Sequence, residues 1–149
     1  MNEVVIDTAS FILWSQVSFM EFVIERKLFL IILTKEVIEE LRDPLSLFYF
    51  NKGIEAGMIK KVCIDESWKN RISVKYRLGK GEISCIAFCL KEKKMFVTDD
   101  IQAKKKAEKE GVNVKTTPQI LREFIKERDV LDSIKKKFKD YAPKRFAEL

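Results

Sequence analysis

Val4, Val5 and Ile6 form an unbroken β-branched run that ends at the charged Asp7, the signature of a short strand buried on both faces. Similar apolar runs recur at Leu28–Leu33, Ile59–Ile64 and Met95–Thr98, with a shorter one at Val112–Val114. Between them the apolar positions return every three or four residues, which predicts amphipathic helices. Asp7-Thr8-Ala9-Ser10 can cap a helix over Phe11–Arg26, broken near Ser15–Ser18. Thr34 can cap another over Lys35–Arg42, with Pro44 just past its end. Leu45–Ala56 is stopped by Gly57, and Glu66–Leu78 carries Trp68, Ile72 and Tyr76 at every fourth position. Gly79-Lys80-Gly81 reads as a turn, and Glu82–Lys93 as a largely apolar helix. Ile101–Glu110 is a lysine-rich helix closed by Gly111, and Thr117-Pro118 opens a helix to about Glu127. Val130–Lys139 makes the last one.

Strands that alternate with helices predict a parallel sheet covered on both faces. The 149 residues suit one domain spanning 1–149, with no internal repeat. Hydrophobic residues make up 46% of the chain, enough for a packed core. No basic leader opens the chain, and Leu28–Leu33 is too short to span a bilayer, so a soluble cytoplasmic protein without membrane association is expected. The odd set Cys63, Cys85 and Cys89 fits reduced thiols, and Cys85 and Cys89 read as buried helix residues rather than zinc ligands.

Two features narrow the chemistry. The net charge of +6, concentrated in residues 91–109 and 126–145, favours a polyanionic partner such as nucleic acid. The chain has no histidine, which removes serine–histidine and cysteine–histidine catalysis and histidine metal sites. Carboxylates, lysines or backbone groups must then carry any reaction.

In open α/β sheets, sites form beyond the carboxyl ends of the strands. Asp7 and the pair Asp99-Asp100 fall there by position. A helix-capping role alone would also explain either. Glu82 opens the apolar helix, where it could serve the helix dipole but must lie near the core edge. Among Glu36, Glu39 and Glu40, helical rotation puts Glu40 beside the arc of Val37, Ile38, Leu41 and Leu45 and turns Glu39 outward. Four converging acids repel one another unless a cation joins them. Oxygen-only ligands suit Mg²⁺ or Mn²⁺, which can activate water and assist displacement at phosphate. Lys104, Lys105, Lys106 and Lys109 lie beside these acids. Lys104 and Lys105 are the selected RNA-phosphate contacts, although a solvated helix face explains them equally well.

In order and spacing these acids resemble the PIN domain family. Asp7-Thr8 matches its first acid, followed by a hydroxyl residue. Glu40 in Val37-Ile38-Glu39-Glu40-Leu41 matches the second, Glu82 in Gly79-Lys80-Gly81-Glu82-Ile83-Ser84 the third, and Thr98-Asp99-Asp100 the fourth. The resemblance runs from Val4 to Thr117 and implies a three-layer α/β/α sandwich with a central parallel sheet of four to five strands. It implies an Mg²⁺- or Mn²⁺-dependent endoribonuclease with Asp7, Glu40, Glu82 and Asp100 catalytic. Asp7, Glu82, Asp99 and Asp100 would be the metal ligands, with the hydroxyls of Thr8 and Thr98 supporting them. The expected partners are RNA, an antitoxin protein and a second copy of the chain, since many small members are VapC-type toxins. The alternatives are an RNA-processing nuclease outside any toxin pair, or a non-catalytic RNA-binding or scaffold module. Two departures stand out: the third acid is Glu where the toxins more often carry Asp, and Ala9 stands where Ser or Asn is common.

Overall fold

The computed structural model describes residues 1–149. Five strands form one all-parallel sheet in the order β3-β2-β1-β4-β5: β1 (Glu3–Ile6), β2 (Leu30–Thr34), β3 (Ile59–Val62), β4 (Met95–Val97) and β5 (Val114–Lys115). Val4, Val5 and Ile6 are fully buried, as a central strand covered on both faces requires. β1 pairs with β2 through Val4↔Ile31 and with β4 through Ile6↔Val97.

The chain leaves β1 through α1 (Thr8–Gln16) and α2 (Phe19–Arg26) to reach β2. It continues outward through α3 (Lys35–Glu40) and α4 (Pro44–Glu55) to β3. Then α5 (Glu66–Ser73) and α6 (Lys80–Glu92) carry it back across the sheet to β4, and α7 (Ile101–Lys109) leads on to β5. With right-handed crossovers, reversal of direction puts α6 and α7 on the face opposite α1, α2 and α4. β1 and β4 therefore flank the point where the strand order switches, and a crevice opens beyond their carboxyl ends. α8 (Thr117–Phe124) and α9 (Arg128–Tyr141) close the α1 side. There Trp14, Phe19, Phe29, Phe124, Phe138 and Phe146 form a chain of edge-on aromatic contacts. The basic C-terminal segment is thus seated by Phe138 and Phe146, both buried.

Several element ends differ from the sequence reading, each for a local reason. The break near Ser15–Ser18 is real: Ser18 is left-handed at φ 63° and separates α1 from α2. α5 stops at Ser73 instead of continuing to Leu78, because Lys75 Nζ and Tyr76 Oη turn away to the carboxylate of Glu110. α6 begins at Lys80, absorbing the expected turn, because Glu82 Oε1 accepts the Gly79 N–H at 3.3 Å and completes the first turn from inside. Val112 is not in the last strand. Its N–H bonds Ala107 O while that of Gly111, at φ +94°, bonds Glu108 O, the Schellman closure of α7. No helix is long and apolar enough to cross a membrane.

Candidate functional site

A cavity of about 270 Å³ lies at the switch point, lined by Asp7, Thr8, Glu40, Gly81, Glu82 and Asp100 among others. Four carboxylates far apart in sequence thus share one concave surface. Asp7 follows β1 and is only 4% exposed. Its Oδ1 accepts the Ser10 N–H at 2.9 Å, capping α1, and its Oδ2 accepts the Thr98 hydroxyl at 2.6 Å. The capping role and the pocket role are therefore filled by one side chain. Burial pushes the Asp7 carboxyl above its usual range; the bonds from Thr98 and Ser10 oppose this, and the charge of Asp99 adds to it.

Asp100 caps α7, its Oδ1 accepting the Ala103 N–H at 2.9 Å. Its own N–H donates to Thr98 Oγ1 at 3.1 Å. Glu40 is the last residue of α3, and its Oε1 accepts the Thr8 hydroxyl at 2.6 Å. That oxygen lies directly over Gly81, where any Cβ would collide with it. α6 in turn is fixed against β2 by the buried pair Thr34 Oγ1 and Ser84 Oγ, 2.7 Å apart. Glu82 completes the set. Burial raises its carboxyl most, the Gly79 N–H opposes, and the negative charges of Asp100, Asp7 and Glu40 raise it further. The pocket therefore repels its own charge.

Other residues singled out in the sequence lie outside the cavity lining. Asp99, grouped with the metal ligands, faces away from the cavity. Its Oδ1 accepts the Thr117 N–H at 2.7 Å, its Oδ2 accepts the Thr117 hydroxyl at 2.6 Å, and Arg145 Nη2 lies 3.4 Å from that oxygen. Of the two neighbours, Asp100 lines the cavity and Asp99 does not. Lys104 and Lys105 do not line the acid-bearing grooves; on α7 the residues that do are Gln102 and Lys106, beside the buried Ala103 and Ala107. Gly81 and Arg145 were missed as site-building residues. The small residue beside Glu82 hinted at the first, but no local pattern pointed to the second.

The donor set is all oxygen, which fits a hard divalent cation, and Asp7, Glu82 and Asp100 are the residues that would hold one. No three acidic or thiol side chains form a ready cage. That is compatible with Mg²⁺, which keeps several waters and takes one or two carboxylates directly.

An all-parallel α/β sandwich with an acidic crevice at its switch point defines the class. Residues 3–146 match the family profile described as DUF3368: PIN domain, so the chain belongs to the PIN domain family. The fold is similar to that of a PilT N-terminus domain protein from the hyperthermophilic archaeon Sulfolobus solfataricus P2. The TM-score is 0.56 at 12% identity, covering 85% of this chain and 96% of that one. It is also similar to a chain in the VapBC2 structure from Rickettsia felis bound to a fragment of promoter DNA. There the TM-score is 0.54 at 10% identity, covering 76% of this chain and 98% of that one. No curated protein matches the sequence.

Proposed function

We propose that this chain is an Mg²⁺- or Mn²⁺-dependent endoribonuclease that hydrolyses RNA phosphodiester bonds, acting as the toxin of a toxin–antitoxin pair or as an RNA-processing enzyme. The supporting observation is the gathering of Asp7, Glu40, Glu82 and Asp100 on one cavity of a basic chain. When bound, the cation supplies charge stabilisation at phosphate and an acidified water. The protein's own contribution is position. Asp7 is immobilised by Ser10 and Thr98, Asp100 by Ala103, and Glu40 by Thr8, so their oxygens need little reorganisation. Glu82, raised by burial and by its acidic neighbours, gains most from a bound cation, which would offset that repulsion and hold its carboxylate ionised as a ligand.

The test is cleavage of single-stranded RNA with Mn²⁺, comparing wild type with Asp7→Asn and Asp100→Asn proteins shown to be folded by circular dichroism. Loss of cleavage in both supports the reading, and full activity in both overturns it. A second reading is a non-catalytic RNA-binding module, for which the basic charge of the chain is the supporting feature. It requires salt-sensitive RNA binding that persists in EDTA, with no cleavage under Mn²⁺.

The proposed protein partners are an antitoxin and a second copy of the chain. Exposed Leu45, Leu47 and Phe48 on α4 give them an apolar surface, Phe48 being 56% exposed. The likeness to a VapBC2 chain supports the antitoxin. Light scattering, and co-purification with a small DNA-binding protein encoded beside this chain, test both partners.

A further inference from the structure

The acid cavity opens into a shallower groove of about 540 Å³, with Glu82 and Asp100 on the shared wall. Beyond them the sign of the charge reverses. The next side chains are Arg77, on the loop between α5 and α6, and Gln102 and Lys106 on α7. Gln102 and Lys106 stand four residues apart and so share one helix face.

Both walls are held in place. Tyr76 Oη and Lys75 Nζ bond the Glu110 carboxylate at 2.5 and 3.0 Å, tying the loop to the far end of α7. Lys106 Nζ reaches the Arg77 carbonyl at 3.5 Å. Neither Arg77 nor Lys106 takes part in any ion pair, although Glu82 and Asp100 line the same groove. Two uncommitted cations beside an acid cavity are free to meet an anion from outside. The cleft lined by Glu39, next to Glu40, is the more acidic of the two. It sets Glu36, Glu39 and Glu66 against two lysines, Lys80 and a Lys69 that is already bound to Glu36 and Glu66 at 2.7 and 2.9 Å, so its lining is net negative. A polyanionic strand leaving the acid cavity is repelled there and attracted along α7.

We propose that Arg77, Gln102 and Lys106 form a subsite for the nucleotide next to the cut in a single RNA strand. The two cations hold its phosphate, and Gln102 offers an amide to its sugar or base. This rests on the ribonuclease reading for the position of the cut, but binding can be measured without cleavage.

The experiment follows a fluorescein-labelled single-stranded RNA by anisotropy over a salt series, with Mn²⁺ cleavage assayed in parallel. Arg77→Ala and Lys106→Gln are compared with a Lys104→Ala, Lys105→Ala double variant. Each groove variant is expected to weaken RNA binding about tenfold and lower the salt slope by about 0.7, the increment for one phosphate on a single strand. The double variant is expected to stay within about twofold of wild type. Lys106→Gln also removes the bond to the Arg77 carbonyl, and Arg77→Ala tests a cation while keeping that bond. Wild-type binding with unchanged groove variants overturns the subsite, as does absence of RNA binding by the wild type. Binding that is lost in the groove variants without any Mn²⁺ cleavage supports the subsite while the nuclease reading fails.

Discussion

The hydroxyl of Thr98 joins two acids that the sequence separates by more than ninety residues: it donates to Asp7 Oδ2 at 2.6 Å and accepts the Asp100 N–H at 3.1 Å. The pairing of β1 with β4, Ile6 opposite Val97, brings the two strand ends side by side. The bond partly offsets the cost of burying a carboxylate and fixes the turn that aims Asp100.

Replacing Thr98 by Val keeps the branched shape and removes the hydroxyl. One buried Asp7 oxygen then loses its partner, at a cost of about 1–3 kcal/mol. A chain of this size loses roughly 2–4 °C of Tm per kcal/mol. Activity is expected to fall about 10–100-fold, the range for removing a group that orients metal ligands. Thr98→Ser keeps the hydroxyl and should recover most of both losses. Calorimetry and RNA cleavage on the three proteins check this, and wild-type values for Thr98→Val would remove Thr98 from the site.

Gly81 acts through what it lacks. A methyl group there collides with Glu40 Oε1, so Gly81→Ala must move the Glu40 carboxylate and stretch its 2.6 Å bond from Thr8. Alanine is otherwise favoured inside a helix by about 1 kcal/mol over glycine. The expected result is a protein about as stable as wild type, with cleavage reduced about tenfold or more. A Gly81→Ala enzyme of full activity would show that Glu40 is free to move or has no role.

Most of the fold was legible because parallel strands buried on both faces announce themselves as unbroken apolar runs, as in Val4–Ile6. The acids beyond β1 and β4 followed from the same pattern, since a strand end in such a sheet is a place as well as a boundary. What stayed hidden depends on partners distant in sequence. Nothing near Asp99 tells that Thr117 and Arg145 will take its carboxylate. Nothing local to Tyr76 tells that Glu110 will end α5 early. Which lysines of α7 line the groove is likewise not legible locally, because the rotation of the helix about its axis is set by Ala103 and Ala107 packing inward, not by the lysines.

The acid pocket makes a pH prediction. Asp7 and Glu82 both have folded-state values raised above their ordinary 3.8 and 4.5. The folded protein then holds protons that the unfolded chain has released, so these groups favour folding in acid. Their contribution declines as pH rises from the ordinary values through the raised ones. Glu82→Gln removes one of the repelling charges and keeps the Oε1 that accepts the Gly79 N–H. Without metal, it should melt above wild type at pH 7, on the order of 2 °C higher, and converge with it near pH 4. The half-buried Glu3, Asp43 and Glu110 have lowered values and the opposite pH trend, but they are common to both proteins and cancel in the difference. Added Mn²⁺ should reverse the order at pH 7. Equal melting curves at every pH would mean that the carboxylates do not sense one another.

Asp99 and Asp100 are neighbours with opposite assignments, and one pair of measurements separates them. Asp99 fastens α8 and the C-terminal segment to the end of β4: Thr117 gives it two bonds, Arg145 an ion pair, and Trp14 Nε1 donates to the same Thr117 hydroxyl at 2.9 Å. Asp99→Ala leaves the Thr117 N–H and Arg145 without a partner, so Tm should drop by several degrees, as charge-assisted bonds contribute about 1.5–3 kcal/mol each. The rise in Tm on adding Mn²⁺ should survive, because the lost carboxylate faces away from the cavity. Asp100→Asn should do the reverse, with metal-free Tm near wild type and the Mn²⁺ shift lost. Saturation at 100 times Kd contributes about 2.7 kcal/mol, enough to see. If Asp99→Ala abolishes the Mn²⁺ shift as fully as Asp100→Asn does, Asp99 must swing into the pocket when metal binds, and the clasp to Thr117 and Arg145 is a resting state rather than a fixed joint.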